Sequence, residues 1–234
     1  RGWRPPNLRD LFELLADPER RIIRNEKELL QLVSETIEAV QRDINGHCQL
    51  LWDVLPGRNT VGDVVLPEYW RPKNEAAVSE YLAHELKLRL VDRVLAINRE
   101  VLVKPTNAHG AGTRNDILIE TAERSHSPGE VLNKVALVIE VKGTWNRELM
   151  TAQRDQLAAY YLLEGDTRTG IYMVAQFPVE DWDDDQDRRR TVARRQDTDD
   201  LLDALKEQAA TIESELGRTT VPCILRIARP RPRA

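Results

Sequence analysis

A chain of 234 residues with 41% hydrophobic and 31% charged side chains can bury a core without staples, as one large domain or a domain with an appended segment. Cys48 and Cys223 form no CxxC pair, which argues against a disulfide framework or a cysteine zinc site and suits a reducing cytoplasm. No apolar run approaches the ~20 residues that span a bilayer, no secretory leader opens the chain, and the net charge of −5 runs against the basic footprint usual for a nucleic-acid partner.

The first residue is Arg1, so the chain is expected to be a piece of a longer protein. Residues 7 to 44 are predicted helical: Asn7 caps LRDLFELLAD, and Asn25 caps EKELLQLVSETIEAVQRDI. In the second segment Leu29, Leu30, Val33, Ile37 and Val40 recur at helical spacing, and Asn45-Gly46 stops it. Three prolines and two glycines between Leu55 and Lys73 predict a connector with at most short strands. The expected division is an N-terminal helical segment over 1–60 and a main domain over 61–234.

From Asn74 the period alternates. Asn74 caps EAAVSEYLAHELKLRLVDRV, whose Ala77, Val78, Tyr81, Leu82, Leu86 and Leu90 form one stripe. INREVLVKP is a strand, NAHGAGTRN a turn, DILIET a strand and ERSHSPGEVLNK a loop. KVALVIEVKG is a β-branched run suited to a buried central strand. A helix over Glu148 to Leu163, the strand GIYMVAQF, a helix over Asp199 to Leu216 and the strand VPCILRI complete the order. The acidic block from Glu180 to Asp187, the arginines that follow and the arginine-bearing tail read as a solvated loop and a frayed end. The sum is an α/β layer structure with a mixed sheet flanked by helices.

Three charges interrupt this apolar pattern. Asp116 opens one strand; Glu140 and Lys142 stand two apart near the end of the next, hence on one face. If these strands form a hairpin, Asp116 lies beside Glu140, and two carboxylates can hold a hard cation next to an ammonium. Charges closing an apolar strand are costly unless paired or metal-bound. A Glu-x-Lys pair alone carries little specificity. Glu85-Leu86-Lys87 is a second copy, but on a predicted helix, where i and i+2 point apart.

The strings RNDILIE, VALVIEVKGTWN and QLAAY resemble the PD-(D/E)XK nuclease superfamily over about residues 70 to 177. The resemblance implies a restriction-endonuclease-like core of order α-β-β-β-α-β and a Mg²⁺-dependent deoxyribonuclease, with Mn²⁺ able to substitute. It implies that Asp116 and Glu140 bind the metal with help from the Val141 carbonyl, and that Lys142 activates or orients the water. A further carboxylate comes from the preceding helix, either Glu75, which opens it, or Glu80. Gln156 and Tyr160, four apart on the next helix, are similar to a Gln-x-x-x-Tyr pair that contacts substrate or the metal shell; the alternative is a half-buried helix face. Asn115 replaces the superfamily's proline before the motif Asp. Arg114 and Arg147 flank the site and could meet phosphates. Trp145 and Asn146 either contact DNA or pack the helix. His47, His84, His109 and His126 have no metal-ligand spacing, and Gly110-Ala-Gly112 lacks the rest of a phosphate loop. By analogy, the expected setting is the effector part of a bacterial defence protein with a fused sensor upstream, acting on DNA in the cytoplasm, possible as a homodimer or larger oligomer.

Overall fold

In the computed structural model, which describes residues 23–55, 60–61, 64–65, 69–91, 95–104, 113–121, 134–165, 167–184, 187–194 and 198–230, the first element is helix α1 (Glu26–Asp43). The Asn25 side chain accepts a hydrogen bond from the Glu28 N–H at 3.0 Å, capping it as its position predicts. Leu29, Leu32, Val33, Ile37 and Val40 line its buried face, and 3₁₀ turns from Ile44 end it at the Asn-Gly pair. The helix expected over residues 7 to 16 lies outside the described residues.

The connector holds two short antiparallel ribbons: β1 (Trp52–Leu55) with β4 (Tyr69–Pro72), and β2 (Thr60–Val61) with β3 (Val64–Val65). Helix α2 (Glu75–Arg89) follows, capped by the Asn74 side chain, which accepts from the Ala77 N–H at 3.0 Å.

Strands β5 (Leu95–Lys104), β6 (Thr113–Thr121), β7 (Ala136–Gly143), β8 (Thr169–Gln176) and β9 (Thr219–Arg226) form one mixed sheet in chain order. The first two pairings are antiparallel and the last two parallel. Parallel neighbours need crossovers. Helix α3 supplies the first, as a π-helical stretch Gln153–Tyr161 followed by an α turn Leu162–Glu164. Helices α4 (Arg188–Ala193) and α5 (Thr198–Leu216) supply the second. Gly217, at φ 61°, takes the left-handed position that stops α5. The loops expected around His109 and His126 lie outside the described residues.

Alternation along the strands sorts the core into two layers. Ile117, Ile119, Leu137, Ile139, Val141, Ile171 and Met173 face α1 and α2; Val138, Tyr172 and Val174 face α3 and α5. Every residue of β7 is buried, as its β-branched run predicts. The protein is therefore an α/β structure with a mixed five-stranded sheet between helices. Helix α1, expected in a separate segment, packs into the same core as the sheet. Among the described residues no helix is long and apolar enough to cross a membrane.

Two expectations need correction. The helix predicted over Glu148 to Leu163 is present from Ala152, after turns over 147–151, but its central nine residues bond at i→i+5, as Leu162 N–H does to the Leu157 carbonyl. Where it is described, over 180–184 and 187–194, the charged run after residue 179 is more than a solvated loop. Trp182 and Asp184 are buried, and Asp187 caps α4 by accepting from the Arg189 N–H. The tail is held at Arg229, whose N–H donates to Asp181 at 3.0 Å and whose guanidinium donates to Asp183 at 2.8 Å, while Arg231 and Arg233 lie outside the described residues. Opposite charges within the run satisfy each other across the fold, which linear composition does not reveal.

Candidate metal centre at the end of the central strand

The β6–β7 pairing places Ile117 opposite Ile139, so the next step outward sets Asp116 abreast of Glu140. There the strands part. The Asp116 carboxylate takes over the ladder and accepts from the Val141 N–H at 2.8 Å. Opposite it on β5, between the Arg99–Ile117 and Val101–Asn115 pairs, Glu100 adopts φ 50°, a strained backbone for a residue with a Cβ.

Glu140 and Lys142 share one face of β7 and form an ion pair of 2.5 Å, with side-chain exposures of only 2% and 10%. The pair leaves Glu140 Oε2 buried with no hydrogen-bond partner. Burial, and then the charge of Asp116, push the Glu140 carboxyl up to about 8. Asp116 is raised as well, chiefly by burial, against the Val141 N–H and Lys142, which lower it. For Lys142 burial pulls down, but Glu140, Glu75 and Asp116 outweigh it; its ammonium is held above the usual lysine range.

Glu75, the first residue of α2, reaches the same strand end. Its carboxylate accepts from the Gly143 N–H at 2.8 Å and from the Asn146 amide at 2.9 and 3.1 Å. Arg99 ties β5 to this helix start by donating to the Ala76 carbonyl at 3.2 Å. Glu80 is 74% exposed, 3.8 Å from Arg99. Of the two helix glutamates, Glu75 meets the strand end. Asn146 is a residue the sequence undervalues: its Oδ1 accepts from the Glu148 N–H at 2.8 Å, which fixes its Nδ2 toward Glu75. The only hint was an Asn just ahead of a predicted helix.

Gln156 donates to Glu148 at 2.7 Å, and the Tyr160 hydroxyl is buried without a hydrogen-bond partner while its ring meets Tyr161 edge-on at 5.6 Å. Neither touches the carboxylates in a described contact. Tyr161 and Tyr172 are buried phenols held neutral, first by desolvation and then by the Glu140 charge. Arg147 is exposed beside Asn146. Arg114 lies on β6 opposite Leu102, with its side chain outside the described residues. Trp145 packs, with Phe177 at 5.5 Å and Trp182 at 5.7 Å. Glu85 of the helical Glu-x-Lys copy pairs with Arg89 at 3.2 Å, and Lys87 is exposed. His47 stands 4.0 Å from Glu85 and His84 is exposed.

The donors at the strand end are carboxylate oxygens, the chemistry of a hard divalent cation, and Glu140 Oε2 is free to serve one. Among the described residues no three acidic, histidine or cysteine side chains are already gathered as a cage, because each carboxylate turns to a donor of its own. Compared with known protein families, curated proteins and solved structures, the chain matches none.

Proposed function

We propose that the chain is a divalent-metal-dependent nuclease with a restriction-endonuclease-like core, hydrolysing phosphodiester bonds, in DNA first of all. The order α2-β5-β6-β7-α3-β8 with its antiparallel and then parallel pairings supports the fold assignment. The reading is carried by one observation. The Glu140 carboxylate, beside Asp116, gives one oxygen to the buried Lys142 ammonium and keeps the other buried without a partner.

Asp116 and Glu140 would hold Mg²⁺ or Mn²⁺, with Glu75 adjacent and the Val141 carbonyl added by the resemblance. The cation supplies charge neutralisation for the phosphoryl oxygens. Lys142, held charged in a site shielded from solvent, orients the attacking water and stabilises negative charge on the phosphorus centre. Gly143 N–H and Asn146 keep the Glu75 carboxylate aimed at the strand end. Gln156, Tyr160, Arg114 and Arg147 remain proposed substrate contacts.

Single- and double-stranded DNA and RNA, incubated with Mg²⁺, Mn²⁺ or EDTA, test the reading. Cleavage should require the cation and be abolished in Asp116→Ala, Glu140→Ala and Lys142→Ala with the fold intact. Undiminished cleavage by Lys142→Ala sinks the assignment. A second reading, a non-catalytic module that binds nucleic acid or a protein, is favoured by the engagement of each site carboxylate with a protein donor. Binding without cation-dependent cleavage would select it.

A further inference from the structure

An open cleft of about 640 Å³ lies between the turn after β7 and helix α4, and Asn146, which holds Glu75, is in its lining. The segment after β7 lines it with Arg147 and Met150, and helix α4 lines it with Arg188, Thr191 and Val192. Among the described residues no acidic side chain lines it, although the chain carries a net charge of −5. A cationic lining on an acidic protein is a local field that draws an anion to this place.

Both walls are fixed from behind. The Leu149 carbonyl accepts from the Tyr172 hydroxyl at 2.7 Å, and the Met150 carbonyl from the Gln208 amide at 2.7 Å. Next to Arg188, the Arg189 guanidinium donates to the Pro72 carbonyl at 2.8 Å and lies 5.2 Å and 5.7 Å from the Trp145 and Trp182 rings. The backbone is thus set while Arg147 and Arg188 stay exposed. A cleft whose walls need no ordering loses little entropy when filled.

We infer that this cleft is the track for one unpaired polynucleotide strand. Its phosphates meet Arg147 and Arg188, and its sugar and base faces lie on the exposed apolar surface of Met150 and Val192. A duplex keeps its base faces stacked inside and offers such a floor little beyond phosphates. An unpaired strand has base faces to bury. The inference rests on the nuclease reading for one link: Asn146 lines the cleft and also holds Glu75, so a strand lying there leads to the carboxylates.

The test is fluorescence anisotropy in EDTA, with labelled single-stranded DNA, single-stranded RNA and duplex DNA. The single strands should bind at least tenfold more tightly than the duplex, the DNA and RNA arms assigning the sugar. Arg147→Glu/Arg188→Glu should weaken single-strand binding at least tenfold and flatten the log affinity against log salt slope by about 1.4, two phosphate contacts at ~0.7 each. Lys87→Glu/Lys206→Glu makes the same charge change on exposed faces of α2 and α5 and should bind like the parent. Duplex binding as tight as single-strand binding, or a cleft variant indistinguishable from that control, overturns the inference. Binding through the cleft with no Mg²⁺-dependent cleavage would overturn the nuclease reading alone.

Discussion

Glu140 is the residue at which burial and chemistry conflict most. Its folded carboxyl is raised from 4.5 to about 8, by burial and then by Asp116. The folded state therefore holds a proton that the unfolded state has lost across that window. Stability conferred by this group is present below pH 4.5 and is lost as pH rises toward 8, by up to about 1 kcal/mol per pH unit. Thermal unfolding in EDTA should show a midpoint falling over that range, and Glu140→Gln should flatten it. An equal slope in the variant would show that another group titrates. Excess Mg²⁺ should also flatten it, since a cation between the carboxylates favours their charged forms. Glu140 and Lys142 were legible as a pair because a strand's period of two states which side chains share a face, whereas Asp116 joins them only through the antiparallel pairing of its strand with theirs. Asn146 was not legible, since its role depends on Glu75, which lies 71 residues away in the chain and touches it only in the fold.

The turn that closes β7 is the element on which the site hangs. A Cβ on Gly143 would run into the Trp145 ring, which is itself locked between Phe177 and Trp182. Gly143→Ala should cost about 1–3 kcal/mol by overpacking, shift the tryptophan fluorescence, and loosen the grip of the Gly143 N–H and Asn146 on Glu75. Chemical denaturation checks it; unchanged stability with unchanged emission would refute this packing account. Helix caps and the β7 run were predictable because Asn25, Asn74 and the β-branched residues act locally. The π-helical course of α3 was not, because a Gln-to-Tyr segment carries no local signal for i→i+5 bonding. It lies against β7, β8 and α5, and packing decides its pitch.

For the molecule as a whole, the question is whether α1 stands apart or belongs to the sheet. Leu29 is fully buried in the core that also holds Val78, Ile139 and Met173. Leu29→Ala should therefore destabilise the entire fold by about 2–5 kcal/mol, in one cooperative transition followed both by tryptophan fluorescence and by far-UV circular dichroism. Two separated transitions, with the sheet's unmoved, would show that the helix is an independent segment.

The sequence by itself determined the order of the helices and strands from α1 to β9 except α4, the apolar faces, the caps at Asn25 and Asn74 and the alignment of Glu140 with Lys142, because periodicity and capping act over a few residues. Only the tertiary structure decided that Glu75 meets the end of β7, that Asn146 holds it, that Arg189 lies against Trp145 and Trp182, and that Arg147 and Arg188 line one cleft. Those contacts join residues far apart in the chain. Their geometry follows from how the helices pack on the sheet, and no local pattern encodes it.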